Sequence, residues 1–428
     1  MRLLLAAICL AATAAQAQLS ETEGRIVAAV KERSPAALAL LERAVRINSG
    51  TLNPDGVREV GAIFRAELDA LGFATRWIDM PSDMQRAGHL VATRAGRQGK
   101  RVLLIGHLDT VFEKNSPVIP WDPRGDRVRG QGVSDMKGGD VIIIEALRAL
   151  QAVGALDGTS IAVIMTGDEE RAGAPVEVAR RDMVELARRS DAALAFEGSI
   201  RRPGMDMASY ARRSSGGWTL KVTAKSGHSG QVFREGFGYG AIYEAARILN
   251  EFRDRLIEPD LTFNVGAIVG GTEAKWDDAT ATGSAFGKGN VIAKEATVRG
   301  DLRYLTPEQG ARVRERMRAI VAASLPHANA TIAFSETYPP QAPTEAGKQL
   351  LELYSKASAD AGFGTIGAIA PADRGAGDVQ FVSALIPGLD GLGAAGSGAH
   401  TDHEDLELAS IERGAIRAAI LIYRMTRP

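Results

Sequence analysis

The sequence predicts an α/β protein with a mostly parallel central sheet, interrupted by a compact α+β insertion. Three observations carry this. Residues 101–106, 159–165 and 191–196 are short, nearly continuous apolar runs, the pattern of strands buried on both faces. Between the first two, residues 139–153 place Val141, Ile142, Ile144, Ala146, Leu147 and Leu150 at spacings that suit a packed helix, and such alternation builds parallel sheets. From about residue 208 to 335 the pattern changes. A strand (218–225), helix (239–252), strand (261–269), strand (296–304), helix (307–323) and strand (330–334) follow one another, the βαββαβ order of a ferredoxin-like split βαβ sandwich.

Upstream, helical spacing recurs over residues 26–45 and 56–71, with Asn53-Pro54-Asp55-Gly56 expected as the turn between them. Residues 344–428 return to helix and strand signals, with a glycine-rich stretch at 388–398. The expected division is therefore a signal segment (1–17), an α/β domain in two parts (18–207 and 336–428) and the insertion (208–335). At 428 residues, 45% hydrophobic and 24% charged, the chain can bury more than one core.

The N-terminus reads as a secretory signal. Arg2 precedes an apolar run from Leu3 to Ala15, and Ala15-Gln16-Ala17 supplies a cleavage site. The mature protein is expected in the periplasm, with no membrane attachment. The single cysteine, Cys9, lies inside that signal, which leaves the mature chain without thiol catalysis, disulfides or cysteine-ligated metal. Lys plus Arg number 51 against 52 Asp plus Glu, which excludes the basic footprint of a general nucleic-acid binder.

With six histidines in all, each can be weighed. His107 directly follows a buried strand, where ligand sites gather in open α/β sheets. Asp109, two residues on, could accept its other ring N–H. Taken alone, the pair reads equally as a loop histidine beside a capping aspartate. Asp135 sits in Asp135-Met136-Lys137-Gly138-Gly139 just before the buried helix, where a simple N-cap is the bland alternative. Asp168-Glu169-Glu170 and Glu197 close two further strands, and crowded like charges there need solvent or a cation. His400 follows in the glycine-rich loop. Carboxylates at successive strand ends beside a strand-end histidine point to a shared cation site. Five nitrogen and oxygen ligands are too many for one tetrahedral ion, so two divalent metals are expected, zinc first and cobalt or manganese as alternatives.

As a set, His-x-Asp-Thr-Val, Asp-x-Lys-Gly-Gly, Asp-Glu-Glu, Phe-Glu-Gly and the late His-Thr-Asp resemble the M20 family of metallopeptidases and, within it, the glutamate carboxypeptidase group. The resemblance runs from about residue 30 to the C-terminus. It implies one metal on His107 and Glu197, a second on Glu170 and His400, and Asp135 bridging both. It implies Glu169 as general base and acid, Asp109 orienting His107, and a cis peptide at Asp135-Met136. In the insertion, Lys225-Ser-Gly-His228 resembles a loop whose histidine crosses a dimer to stabilise the partner's oxyanion. Asn290 and Arg303 resemble a substrate-holding pair, the arginine pairing with a carboxylate. The insertion is thereby expected to act as lid and to form a homodimer.

Two departures stand out. Ala293 replaces the proline usual after Asn-x-Ile, and the family's Gly-Gly-x-Ser/Thr-Asp turn is here Arg374-Gly375-Ala376-Gly377-Asp378. Arg212 and Arg213 read as surface residues in preference to pocket charges, and His89, His327 and His403 as surface or structural. The expected function is metal-dependent hydrolysis of the amide bond of a C-terminal amino acid, from a small peptide or an N-acyl amino acid. An N-acyl-amino-acid deacylase is the alternative within enzymes, and a metal-free binding or dimerisation module the alternative outside them.

Overall fold

The structure, a computed structural model, describes residues 19–427 apart from 118 and 279; the expected signal at 1–17 lies outside the described residues. A six-stranded sheet forms the centre. Its middle strands, Thr159–Thr166, Gln98–His107 and Ala192–Ala195, run parallel, and Gly388–Leu389 joins Ala192–Ala195 in the same sense. At the other edge, His89–Arg94 and Ala74–Ile78 are antiparallel.

The helix Glu21–Val45 is opened by a capping box, Ser20 accepting from the Glu23 amide while the Glu23 carboxylate accepts from the Ser20 amide. Its Ile26, Val30, Ala37, Leu40 and Leu41 are buried. They pack with Gly138–Ala152 and the C-terminal helix Ala409–Thr426 in one core cluster. The expected turn at 53–56 is shorter than read. Pro54 is the first residue of the helix Pro54–Ala70, since a proline at that position gives up only an amide that the helix leaves unpaired.

The insertion forms its own four-stranded antiparallel sheet from Ser215–Ala224, Thr262–Gly271, Glu295–Arg303 and Ala328–Tyr338. Thr262–Gly271 and Ala328–Tyr338 lie at its edges. Helices Ala241–Leu256 and Pro307–Ala322 contribute Phe252, Ile248, Val313 and Met317 to a separate core around Trp218. The βαββαβ order is therefore observed, with one addition. A hairpin, Glu273–Asp277 with Thr282–Phe286, stands between the second and third strands. The second of these strands is exposed at every position, so no alternation of apolar and polar residues announced it.

Candidate metal centre

Three of the candidate donors, and Glu169 beside them, are delivered by the ends of central strands. His107 is the last residue of Gln98–His107, Glu169 and Glu170 follow Thr159–Thr166, and Glu197 follows Ala192–Ala195. These strands are parallel neighbours, so their carboxyl ends meet at one rim. Asp135 lies in the π-helical turn Val133–Lys137, and its peptide bond to Met136 is cis. It is not a helix cap. His400 lies in the loop before Asp405–Glu407 and has a φ of 66°, left-handed backbone that few side chains adopt.

Glycines let these elements close in. A Cβ on Gly139 would stand 2.0 Å from the Phe196 carbonyl oxygen, and one on Gly393 would stand 2.1 Å from the same atom. Helix Gly138–Ala152 and the glycine-rich segment thus clasp the end of the Glu197 strand from two sides, an approach open only to residues without a side chain.

The donors fall into two sets that share one residue. His107 Nε2 lies 3.2 Å from Asp135 Oδ1 and 3.4 Å from Glu197 Oε1. His400 Nε2 lies 3.1 Å from Asp135 Oδ2 and 3.1 Å from Glu170 Oε2. The two carboxylate oxygens of Asp135 therefore face different sets. Glu170 Oε1 is buried without a hydrogen-bond partner, a costly state that a cation would relieve. Ligand atoms of His107, Glu169 and Glu197, and of His107, Asp135 and Glu170, lie within 4.8 Å of one another. Two histidines and three carboxylates, with Asp135 bridging, fit a pair of divalent ions.

Electrostatics agree. Burial alone would lower the His107 pKa, yet the Glu197 charge and hydrogen bonds to Asp109, Asp135 and Glu197 push it well above its ordinary value. Hydrogen bonds to Asp135 and Glu170 push His400 up to about 11. Burial raises Glu170 to about 7, and burial followed by the Glu197 charge raises Glu169 well above the carboxylate range. Without metal the cluster takes up protons, which marks a site that stabilises positive charge at its centre.

Asp109 faces both His107 and the acidic pair. His107 Nδ1 lies 3.0 Å from the Asp109 backbone carbonyl, while the Asp109 carboxylate is 3.6 Å away. That buried carboxylate also accepts from the Glu169 amide at 3.0 Å, the Glu170 amide at 3.2 Å and the Thr51 hydroxyl at 2.6 Å. It holds the backbone of the acidic pair.

Several positioning residues escaped the sequence reading. Glu404 accepts from the amides of Gly132, Ser134 and Asp135. Lys137 is fully buried, donates to the Ile47 carbonyl at 2.9 Å, and is pushed down to about 7 by burial. Tyr338 donates to the Glu169 carbonyl at 2.7 Å. Asp168 turns away from the donors: Arg180 bridges it to Asp378 at 2.6 and 2.7 Å, all three buried. His89, read as surface or structural, is fully buried; its Nδ1 accepts from the Gly167 amide and its Nε2 donates to the Ala179 carbonyl. Arg212, read as surface, is also buried, paired with Asp390. Glu404 and Arg180 carry no such signal, being neither histidines nor acids at the ends of apolar runs.

The residues expected to act from the insertion lie apart. His228 is exposed, with Nδ1 accepting from the Gly230 amide. Its loop is bridged to that of Asn290, the Ser229 amide donating to the Asn290 carbonyl at 2.9 Å. Arg303 pairs with Asp301 at 2.9 Å. None of the three lines the cavities at the donor cluster.

The sheet and its rim of donors define an α/β metal-dependent hydrolase. Residues 103–424 match the model of peptidase family M20/M25/M40. Carboxypeptidase G2 of Pseudomonas sp. (strain RS-16) is 27% identical over 430 residues, covering 98% of this chain and 97% of that protein. Succinyl-diaminopimelate desuccinylase of Delftia acidovorans is 26% identical, covering 66% of this chain and 72% of its own. Among solved structures, the Bacillus subtilis YXEP protein, a dinuclear metal binding peptidase from the M20 family, superposes with a TM-score of 0.64 at 16% identity. The match covers 92% of this chain and 99% of that one. The chain belongs to peptidase family M20/M25/M40.

Proposed function

We propose that the chain hydrolyses the amide bond joining a C-terminal amino acid to a small peptide or N-acyl group, the reaction of a glutamate-type carboxypeptidase. The observation that carries this is the placement of Glu169 beside two donor sets joined through Asp135. Divalent ions held by His107, Asp135 and Glu197 and by Asp135, Glu170 and His400, zinc first and cobalt or manganese next, would supply Lewis-acid activation of the scissile carbonyl and of water. Glu169 takes the proton of the attacking water and passes it to the leaving nitrogen. Asp109 and Tyr338 hold Glu169 through its backbone amide and carbonyl.

His228 from a second copy of the chain steadies the oxyanion, and Asn290 and Arg303 hold the carboxylate of the released amino acid after lid closure. Exposed Ile242, Tyr243 and Ile268 on the insertion support a homodimer through that unit. The extent of similarity to carboxypeptidase G2, nearly the full length of both chains, supports the carboxypeptidase reading. Similarity to the desuccinylase supports a deacylase acting through the same residues. Export to the periplasm follows from the signal at 1–17.

The test is bound metal per chain of mature protein, with hydrolysis of N-acyl-glutamate, N-acyl-alanine and a free-N-terminus dipeptide before and after chelation. About two ions per chain and chelator-sensitive release of the C-terminal amino acid are expected. A metal-loaded protein that cleaves only the dipeptide refutes the reading.

A further inference from the structure

The family-divergent turn places an arginine in the wall of the cleft. Arg374 lines two cavities that adjoin at Asp135 and Glu197. One, of about 230 Å³, also holds Glu169 and His400; the other, of about 210 Å³, continues past Glu197 along Gly198, Ser199 and Ile200. Among the described residues, Arg374 makes one hydrogen bond, Nη2 to the Gly198 carbonyl at 2.7 Å, and has no carboxylate within ion-pair distance.

Its neighbour Arg212 is committed to structure. That guanidinium pairs with buried Asp390 and donates to the Gly375 and Ala376 carbonyls at 2.7 and 3.0 Å. On the other flank, Asp373 pairs with Arg202 at 2.7 Å. The turn is therefore pinned on both sides of Arg374, whose remaining N–H groups are left for a ligand. A planar fork of this kind matches a carboxylate.

We propose that Arg374 is a specificity-determining residue that pairs with a carboxylate on the acyl side of the scissile amide. This rests on the amide-hydrolase reading above, in which Asn290 and Arg303 take the carboxylate of the released amino acid. Neither cavity that Arg374 lines has a described residue of the 215–338 unit in its wall, so a substrate held at its carboxyl end by that unit extends its acyl end toward Arg374. The substrates favoured are dicarboxylic monoamides of amino acids, or peptides with an acidic residue before the cleaved bond.

The test compares kcat/KM of metal-loaded protein for N-succinyl-glutamate and N-(3-carbamoylpropanoyl)-glutamate, which differ only in carboxylate against carboxamide. The wild type should favour the succinyl substrate at least about tenfold, the range of one charge-assisted pair. Arg374→Gln should bring the ratio to near unity, Arg374→Lys should retain part of it, and Arg374→Glu should favour N-(4-aminobutanoyl)-glutamate. A purely structural Arg374 would lower both rates and leave the ratio unchanged. Equal wild-type rates, or a ratio that survives Arg374→Gln, overturn the proposal and leave the amide-hydrolase reading standing. If neither acyl-glutamate is cleaved while a free-N-terminus dipeptide is, that reading fails and this inference with it.

Discussion

Glu404 accepts a hydrogen bond from the backbone amide of Asp135 at 3.0 Å, so a carboxylate from the far end of the chain fixes the residue that joins the two donor sets. Its other contacts, to the amides of Gly132 and Ser134 at 2.8 Å, fasten the same turn. Glu404→Gln turns one acceptor into an NH₂ group facing backbone donors. Metal affinity should fall about 10–100-fold, as for other groups that orient ligands. Competition against a chromophoric chelator measures this, and unchanged affinity would show that the turn holds itself.

Glu169→Gln removes the proton acceptor and keeps the shape. Metal content should stay at the wild-type value while kcat falls by about 10²–10⁴-fold. Wild-type turnover in that variant would sink the assigned base; lost metal would make Glu169 a ligand instead.

Arg180 sits between Asp168 and Asp378 with almost no exposure of any of the three. Arg180→Ala leaves two buried carboxylates facing each other without their cation. A loss of about 3–5 kcal/mol is expected, read from urea unfolding of the whole chain. A loss below about 1 kcal/mol would mean that solvent reaches the gap.

The chain's two ends are tied by Arg424, which donates to Glu23 at 2.6 Å and lies 2.7 Å from Asp360. Burial works to raise both acids, and their bonds to Arg424, joined at Asp360 by Lys356, outweigh it and lower them. A depressed folded-state pKa contributes stability above the unfolded value, near 4, and loses it as pH falls through the folded value. Arg424→Ala should therefore cost about 1.5–3 kcal/mol at pH 7 and progressively less below pH 4. Unfolding curves from pH 7 to 2 check this, and a pH-independent difference would assign the effect to packing.

The three middle strands of the central sheet were legible because they are apolar runs that end in polar or charged residues, a contrast visible without neighbours. His107, Glu170 and Glu197 were legible for the same reason, as polar residues at the ends of apolar segments, and Asp135 and His400 as a carboxylate and a histidine in glycine-flanked turns. Glu404 was hidden because its partners are backbone amides of Gly132, Ser134 and Asp135, which any sequence would present. Arg212 was misplaced because burial of a polar side chain depends on what the fold brings to it, here Asp390; His89 took the structural half of its reading, bonded to the Gly167 amide. The hairpin at 273–286 buries too little of itself to leave a pattern.

Four of the donors, from His107 to Glu197, are written before the inserted unit, and His400 and Glu404 come about 200 residues later. A chain still being synthesised can build most of the central sheet while lacking the last histidine and the clamp on Asp135. The set of His107, Asp135 and Glu197 is thus written early, and the set of Asp135, Glu170 and His400 is completed only when the polypeptide is nearly whole. The order of the segments therefore leaves the two-ion arrangement incomplete in any fragment that stops short of the C-terminal part, however well its scaffold is formed.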